Sequence, residues 1–168
     1  MIEPTRMEDE RGWFARLRCE EEFARLGLEG HFVQSSLSVS RRRGVLRGLH
    51  FQVAPREEVK LVRCVRGSIH DVIVDLRSES STLAHYFSAL LSDENHKAVY
   101  VPRGFAHGFQ ALEDNTEVLY EISEFYSPEH ARGFRWNDPA FGIVWPIGSP
   151  ILHGRDREYA DFSRSALT

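Results

Sequence analysis

Cysteine is scarce in this sequence. Cys19 and Cys64 sit in unrelated contexts, without the spacing of a metal site. That argues against a disulfide framework and favours two free thiols in a reducing, cytoplasmic setting. No neighbouring base marks either one as a nucleophile. Also missing are an apolar run of the ~18 residues a membrane-spanning helix needs and an N-terminal signal-peptide pattern. The expectation is a soluble cytoplasmic protein with no membrane partner. Basic excess is absent too: the formal net charge is −4, which leaves no electrostatic footprint for nucleic acid. The one basic cluster, Arg41-Arg42-Arg43, runs into Gly44 and reads as a solvated turn, with phosphate contact as the alternative. There is no Gly-rich phosphate loop and no Gly-x-Ser-x-Gly elbow, so those two site types are excluded.

The chain does have the length for one domain, residues 1–168, with a real core. Residues 1–18 read as extended, with a turn over Glu8-Asp9-Glu10-Arg11-Gly12 and a strand starting at Trp13-Phe14. Residues 20–28 suit a helix, with three acids at its start and Gly27 to close it. From Phe32 the pattern becomes β. Strands are expected over 32–40, 45–52, 58–66, 68–76, 84–91, 97–101, 106–112 and 116–123, separated by turn signals at the ~8–12-residue spacing of a sandwich or barrel. βαβ alternation is absent, which disfavours a doubly wound parallel sheet. After Tyr126-Ser127-Pro128 the chain reads as loop, with a short helix near 156–163. The fold class is all-β.

Two knots of residues could carry chemistry. The first is Leu46-Arg47-Gly48-Leu49-His50-Phe51-Gln52 and the second is Pro102 to Phe109. Strict alternation would place Arg47 and His50 on opposite faces of a strand, so lining one pocket requires a bulge near Gly48. In the second knot Phe105, His107 and Phe109 share a face, and Asp71 is a candidate partner to fix the His107 tautomer. In strand 116–123, Val118, Tyr120 and Ile122 should point inward, so the Tyr120 hydroxyl needs a partner or a ligand. Read alone, His107 and Tyr120 are also compatible with satisfied core residues.

Metal-binding β-barrel proteins of the cupin class carry a His-x-His pair in a first motif. Here that place reads His50-Phe51-Gln52, so the pair is missing. Their second motif, Pro-x-Gly-x-x-His, is matched by Pro102, Gly104 and His107. One imidazole does not make a site that needs three or four ligands, so no metal is expected.

Taken together, Asp9 to Phe14, Gly44 to Gln52, Lys60 to Arg63, Asp71 to Arg77, Pro102 to Phe109, Tyr120, Tyr126-Ser127-Pro128 and Trp136 to Pro139 resemble the dTDP-4-dehydrorhamnose 3,5-epimerase family over nearly the whole chain. The resemblance implies a jelly-roll, cupin-like sandwich or barrel with a few short peripheral helices, a homodimer, and no metal or cofactor. It implies epimerisation at C3, C5 or both of a nucleotide-linked 4-keto-6-deoxyhexose. In that scheme His50 is the general base, Asp156 its partner, Tyr120 the proton donor, and Lys60 the cation at the 4-keto oxygen. Asp71 and His107 form a second pair, while Arg11, Phe14, Gln34, Arg47, Gln52 and Tyr126 serve the substrate. The chain departs from the family pattern at Met7, Arg16, Ser36 and Ala131, and its N-terminal stretch is shorter. Those departures leave open a different nucleotide. A 3,4-ketoisomerase and a non-catalytic sugar-binding module are the competing readings.

Overall fold

A computed structural model of the chain describes residues 1–167. The regular secondary structure described is mostly antiparallel strand. An N-terminal hairpin pairs β1 (Met7–Asp9) with β2 (Gly12–Phe14), and the short helix α1 (Glu20–Arg25) follows. The main strands are β3 (Gln34–Ser40), β4 (Leu46–Gln52), β5 (Lys60–Arg66), β6 (Ser68–Asp75), β7 (Tyr86–Ser92), β8 (Ala98–Val101), β9 (Phe105–Ala111) and β10 (Thr116–Ile122). A three-residue β11 (Ala131–Gly133) and the helical turn α2 (Gly154–Glu158) complete the elements that matter for the site. Two sheets form, in the orders β3-β10-β5-β8 and β11-β4-β9-β6-β7. They pack as a jelly-roll sandwich.

The expected strands fall within two residues of those observed. The C-terminal part differs more. The region after Tyr126 contributes β11, which adds to the edge of β4 with Gly133 opposite His50. The second helix starts at Gly154 rather than near 156 and ends at Glu158. His153 caps its start, its Nδ1 accepting from the Arg155 N–H at 3.2 Å, and Tyr159 then turns extended. At α1 the helix stops at Arg25, and Gly27 in the left-handed region turns the chain away.

Side-chain alternation along these strands divides the sandwich interior in two. At one end Val62, Cys64, Ile69, Leu91, Val99, Phe109 and Val118 close a dry core. Toward the other end the same strands present Lys60, His107 and Tyr120. The outer face of the five-stranded sheet is covered as well. Leu46, Leu49 and Phe51 from β4 and Val72 and Val74 from β6 pack under Phe134, Phe141 and Trp145 of the C-terminal segment. Gln110 ties that segment down: its amide donates to the Ile147 carbonyl and accepts from the Ile147 N–H, both at 2.9 Å. Burial pushes the Cys64 thiol up to about 12, which fits an inert core residue.

The expected bulge is present. Arg47 pairs with Phe109 and His50 with His107, so Gly48 and Leu49 together oppose Gly108. The extra residue lets Arg47 and His50 face the interior while Leu46 and Leu49 face the outer core. Gly48 has φ +124°, and a Cβ there would lie 2.5 Å from the Gly108 Cα and 2.8 Å from the His107 carbonyl oxygen. Those neighbours are backbone and cannot rotate away. Gly48→Ala is therefore expected to cost about 3 kcal/mol or more, read as a fall in Tm of roughly 6–12 °C. Gly148→Ala, with open space at its Cβ, should leave Tm nearly unchanged.

Candidate active site

The polar end of the interior opens as a cavity of about 590 Å³. His50, from β4, reaches it with its ring 30% exposed, backed by Asp156, whose side chain is only 4% exposed. Their Nε2···Oδ1 distance is 2.8 Å. Burial opposes ionisation of Asp156. The hydrogen bond and charge of His50, the Gly48 N–H at 3.5 Å and the Arg155 guanidinium outweigh it and hold the carboxyl below its usual range. A carboxylate can only accept, so Nε2 carries the hydrogen, and in the neutral imidazole the lone pair then lies on Nδ1. Nδ1 has no protein partner among the described residues, which is the arrangement of a base oriented by an acid.

Tyr120 faces the cavity from β10 in the opposite sheet. Its ring meets His107 edge-on at 6.0 Å and Phe109 at 6.3 Å. Burial, reinforced by the Asp71 carboxylate, pushes the phenol well above its ordinary value, against smaller pulls from Arg47 and Ser38. The hydroxyl therefore stays protonated and available to donate. Behind it His107 Nε2 lies 2.8 Å from Asp71 Oδ2, with both residues buried. Asp71 sits under His107 rather than on the cavity wall.

Lys60 lines the cavity with Glu58, their Nζ···Oε1 distance being 2.7 Å and both side chains 11% exposed. Arg47 anchors one guanidinium nitrogen on the Val39 carbonyl at 3.0 Å and is otherwise free to meet an anion. Arg132 and Arg155 line the same cavity, so three guanidinium groups are available to a multiply charged group such as a diphosphate. Among the described residues no three His, Cys, Asp or Glu side chains converge as metal ligands.

The glutamines hold a loop. Gln34 Oε1 accepts from the Tyr126 N–H at 2.7 Å, and Gln52 Oε1 accepts from the Ser127 N–H at 2.6 Å. Gln52 also donates to the Arg56 carbonyl at 2.8 Å, so its amide is largely committed to shaping the wall that carries Tyr126. Both glutamines and Tyr126 line the cavity. Arg11 and Phe14 do not. Arg11 is 84% exposed and paired with Asp9, and Phe14 is exposed on the same hairpin. Of the four departures, Ser36 and Ala131 line the cavity, while Arg16 pairs with Glu22 at the surface and Met7 lies opposite Phe14 in the hairpin.

Sequence reasoning missed Glu58, although it lies two residues before Lys60 and shares its strand face. It also missed Tyr159, whose ring lies 5.9 Å from His50 and presses on Gly133, where a Cβ would meet it at 2.3 Å. Nothing local signals that contact, because it depends on where the C-terminal segment docks.

A family model described as dTDP-4-dehydrorhamnose 3,5-epimerase matches residues 1–164. The enzyme of that name from Methanothermobacter thermautotrophicus is 46% identical over 162 residues, covering 95% of this chain and 86% of its own. A crystal structure of the Bacillus anthracis dTDP-4-dehydrorhamnose 3,5-epimerase, with TDP and pyrophosphate bound, superimposes with a TM-score of 0.92 at 42% identity, covering 95% of this chain and 91% of that one. ChmJ, a 3'-monoepimerase from Streptomyces bikiniensis in complex with dTDP-quinovose, gives 0.88 at 32% identity, with 95% and 81% coverage. The fold, the ordered set of motifs and these matches lead to one conclusion: the chain belongs to the dTDP-4-dehydrorhamnose 3,5-epimerase family.

Proposed function

We propose that the protein epimerises a dTDP-linked 4-keto-6-deoxyhexose, dTDP-4-dehydro-6-deoxy-D-glucose being the substrate, in deoxysugar synthesis of the L-rhamnose type. The observation that carries this reading is the placement of His50 and Tyr120. They stand on opposite sheets and line one cavity, as inversion of a carbon requires. His50 Nδ1 takes the proton α to the ketone. The C–H pair becomes the new C=C, and the carbonyl π pair moves to the oxygen as an enolate. Lys60 stabilises that charge, and Tyr120 returns a proton to the opposite face of the same carbon. The net change in the sugar is configuration alone, with no electron gained or lost, and exchange with solvent then takes the proton from His50 and returns one to Tyr120. Arg47, with Arg132 and Arg155, suits the diphosphate. The free thiols Cys19 and Cys64 fit a cytoplasmic enzyme.

The reading includes a homodimer. Edge strand β3 exposes Leu37 and Val39 on its outer face, and the N-terminal hairpin exposes Met7, Trp13 and Phe14. Pairing two copies would cover such apolar surface. It would also give Arg11 and Phe14, which do not reach the cavity of their own chain, a neighbouring cavity to serve. The ChmJ likeness keeps a single-centre epimerase as the second reading.

Incubating the protein in D2O with dTDP-4-keto-6-deoxyglucose and following the sugar by NMR tests the reaction. Deuterium at C3 and C5 is the expected result. C3 alone gives the single-centre reading, and absence of exchange overturns the proposal; deuterium at C5 argues against a 3,4-ketoisomerase. His50→Asn and Tyr120→Phe should each lower kcat by about 10²–10⁴-fold while dTDP still binds. The double variant Leu37→Glu/Val39→Glu should sediment as a monomer where the wild type sediments as a dimer.

A further inference from the structure

Two carboxylates line the cavity, Asp156 and Glu58, and the proposed reaction uses only the first. Glu58 stands just before β5, and its placement is enforced by Val59. The Val59 N–H donates to Ser123 Oγ at 2.9 Å, and the Ser123 N–H donates to the Val59 carbonyl at 3.0 Å. With Val59 pinned and its side chain buried, alternation sends Glu58 and Lys60 together to the cavity side. The nearby cations are engaged elsewhere. Arg56 pairs with Glu124, and Arg103 bonds the Glu57 carbonyl and faces Glu29. Lys60 in turn has no other ionic partner among the described residues.

We infer that Glu58 is a positioning residue for enolisation: it holds the Lys60 ammonium where the carbonyl oxygen gains charge, and it acts through Lys60 rather than on the sugar. The inference rests on the epimerase reading. A lysine ammonium is a compact charge on a flexible four-carbon stem with three rotatable donors. Left alone it would sample many positions, and its electrostatic effect on a transition state depends on staying in one. Glu58 fixes one N–H at 2.7 Å and leaves two for the oxygen that becomes negative. It also offsets the cost of keeping the ammonium in a largely closed site.

The test is a double-mutant cycle on the full-length protein, reading deuterium entry into dTDP-4-keto-6-deoxyglucose and, separately, dTDP affinity. Glu58→Gln keeps the shape and an acceptor oxygen but removes the charge; Glu58→Ala removes all three. The expected result is a fall in kcat of about tenfold for Glu58→Gln and more for Glu58→Ala, with dTDP affinity within about twofold of wild type. Retained dTDP binding shows that each variant is folded, and Glu58→Gln decides the matter if Glu58→Ala is not. In a Lys60→Met background, followed over long incubations because the label accumulates, Glu58→Gln should change the remaining rate by less than about twofold. A Glu58→Gln enzyme as fast as wild type overturns the inference, and so does a full loss that persists without Lys60. A wild type that incorporates no deuterium removes the epimerase reading instead, so the two failures are distinguishable.

Discussion

The backbone contact between Gly48 and Gly108, across β4 and β9, is the constraint on which the site depends. Neither position tolerates a Cβ, since one on Gly48 meets the Gly108 Cα and one on Gly108 meets the Arg47 carbonyl at 2.9 Å. Because the strands approach so closely there, β4 can carry one extra residue and change its alternation between Arg47 and His50. The same few atoms organise the rest. The Gly48 N–H points at Asp156, which orients His50, while His107 adjoins Gly108 and is paired with Asp71. A bulge that re-aims a side chain next to an active site is a recurrent use of strand irregularity. Here it brings His50 and Arg47 into one cavity.

Around that contact the interior grades from dry to polar along continuous strands. β5 runs from Cys64 through Val62 to Lys60, and β9 from Phe109 to His107. Placing ionisable groups at the end of an apolar sandwich is costly unless each has a partner. The structure meets that requirement in pairs: His50 with Asp156, His107 with Asp71, and Lys60 with Glu58. Tyr120 is different. Burial, with the Asp71 carboxylate behind it, raises its phenol further and keeps the proton on the oxygen.

Much of this was legible in the sequence because period-2 alternation is a local signal. It pointed Tyr120 inward and put His107 on one face with Phe105 and Phe109, with Asp71 as its candidate partner, and the conflict between Arg47 and His50 pointed to a bulge at Gly48. The same rule would have found Glu58 from its distance to Lys60. The motifs named the family. Tyr159, Arg132 and Arg155 were beyond reach, since they arrive at the cavity through the docking of a segment with no periodicity of its own. The start of α2 was misplaced for a related reason: His153 caps it through a ring nitrogen, a role that residue type announces weakly. Arg11 and Phe14 were recognised by motif, but one chain does not bring them to the cavity.

The segment from Phe134 to Asp156 does two things at once. Phe134, Phe141 and Trp145 seal the outer face of the five-stranded sheet, and the same stretch delivers Asp156 to His50. The imidazole therefore keeps its carboxylate partner only while that segment lies on the sheet. Cover of the sheet's outer face and orientation of His50 inside it are thus one mechanical unit, so a disturbance of either reaches the other.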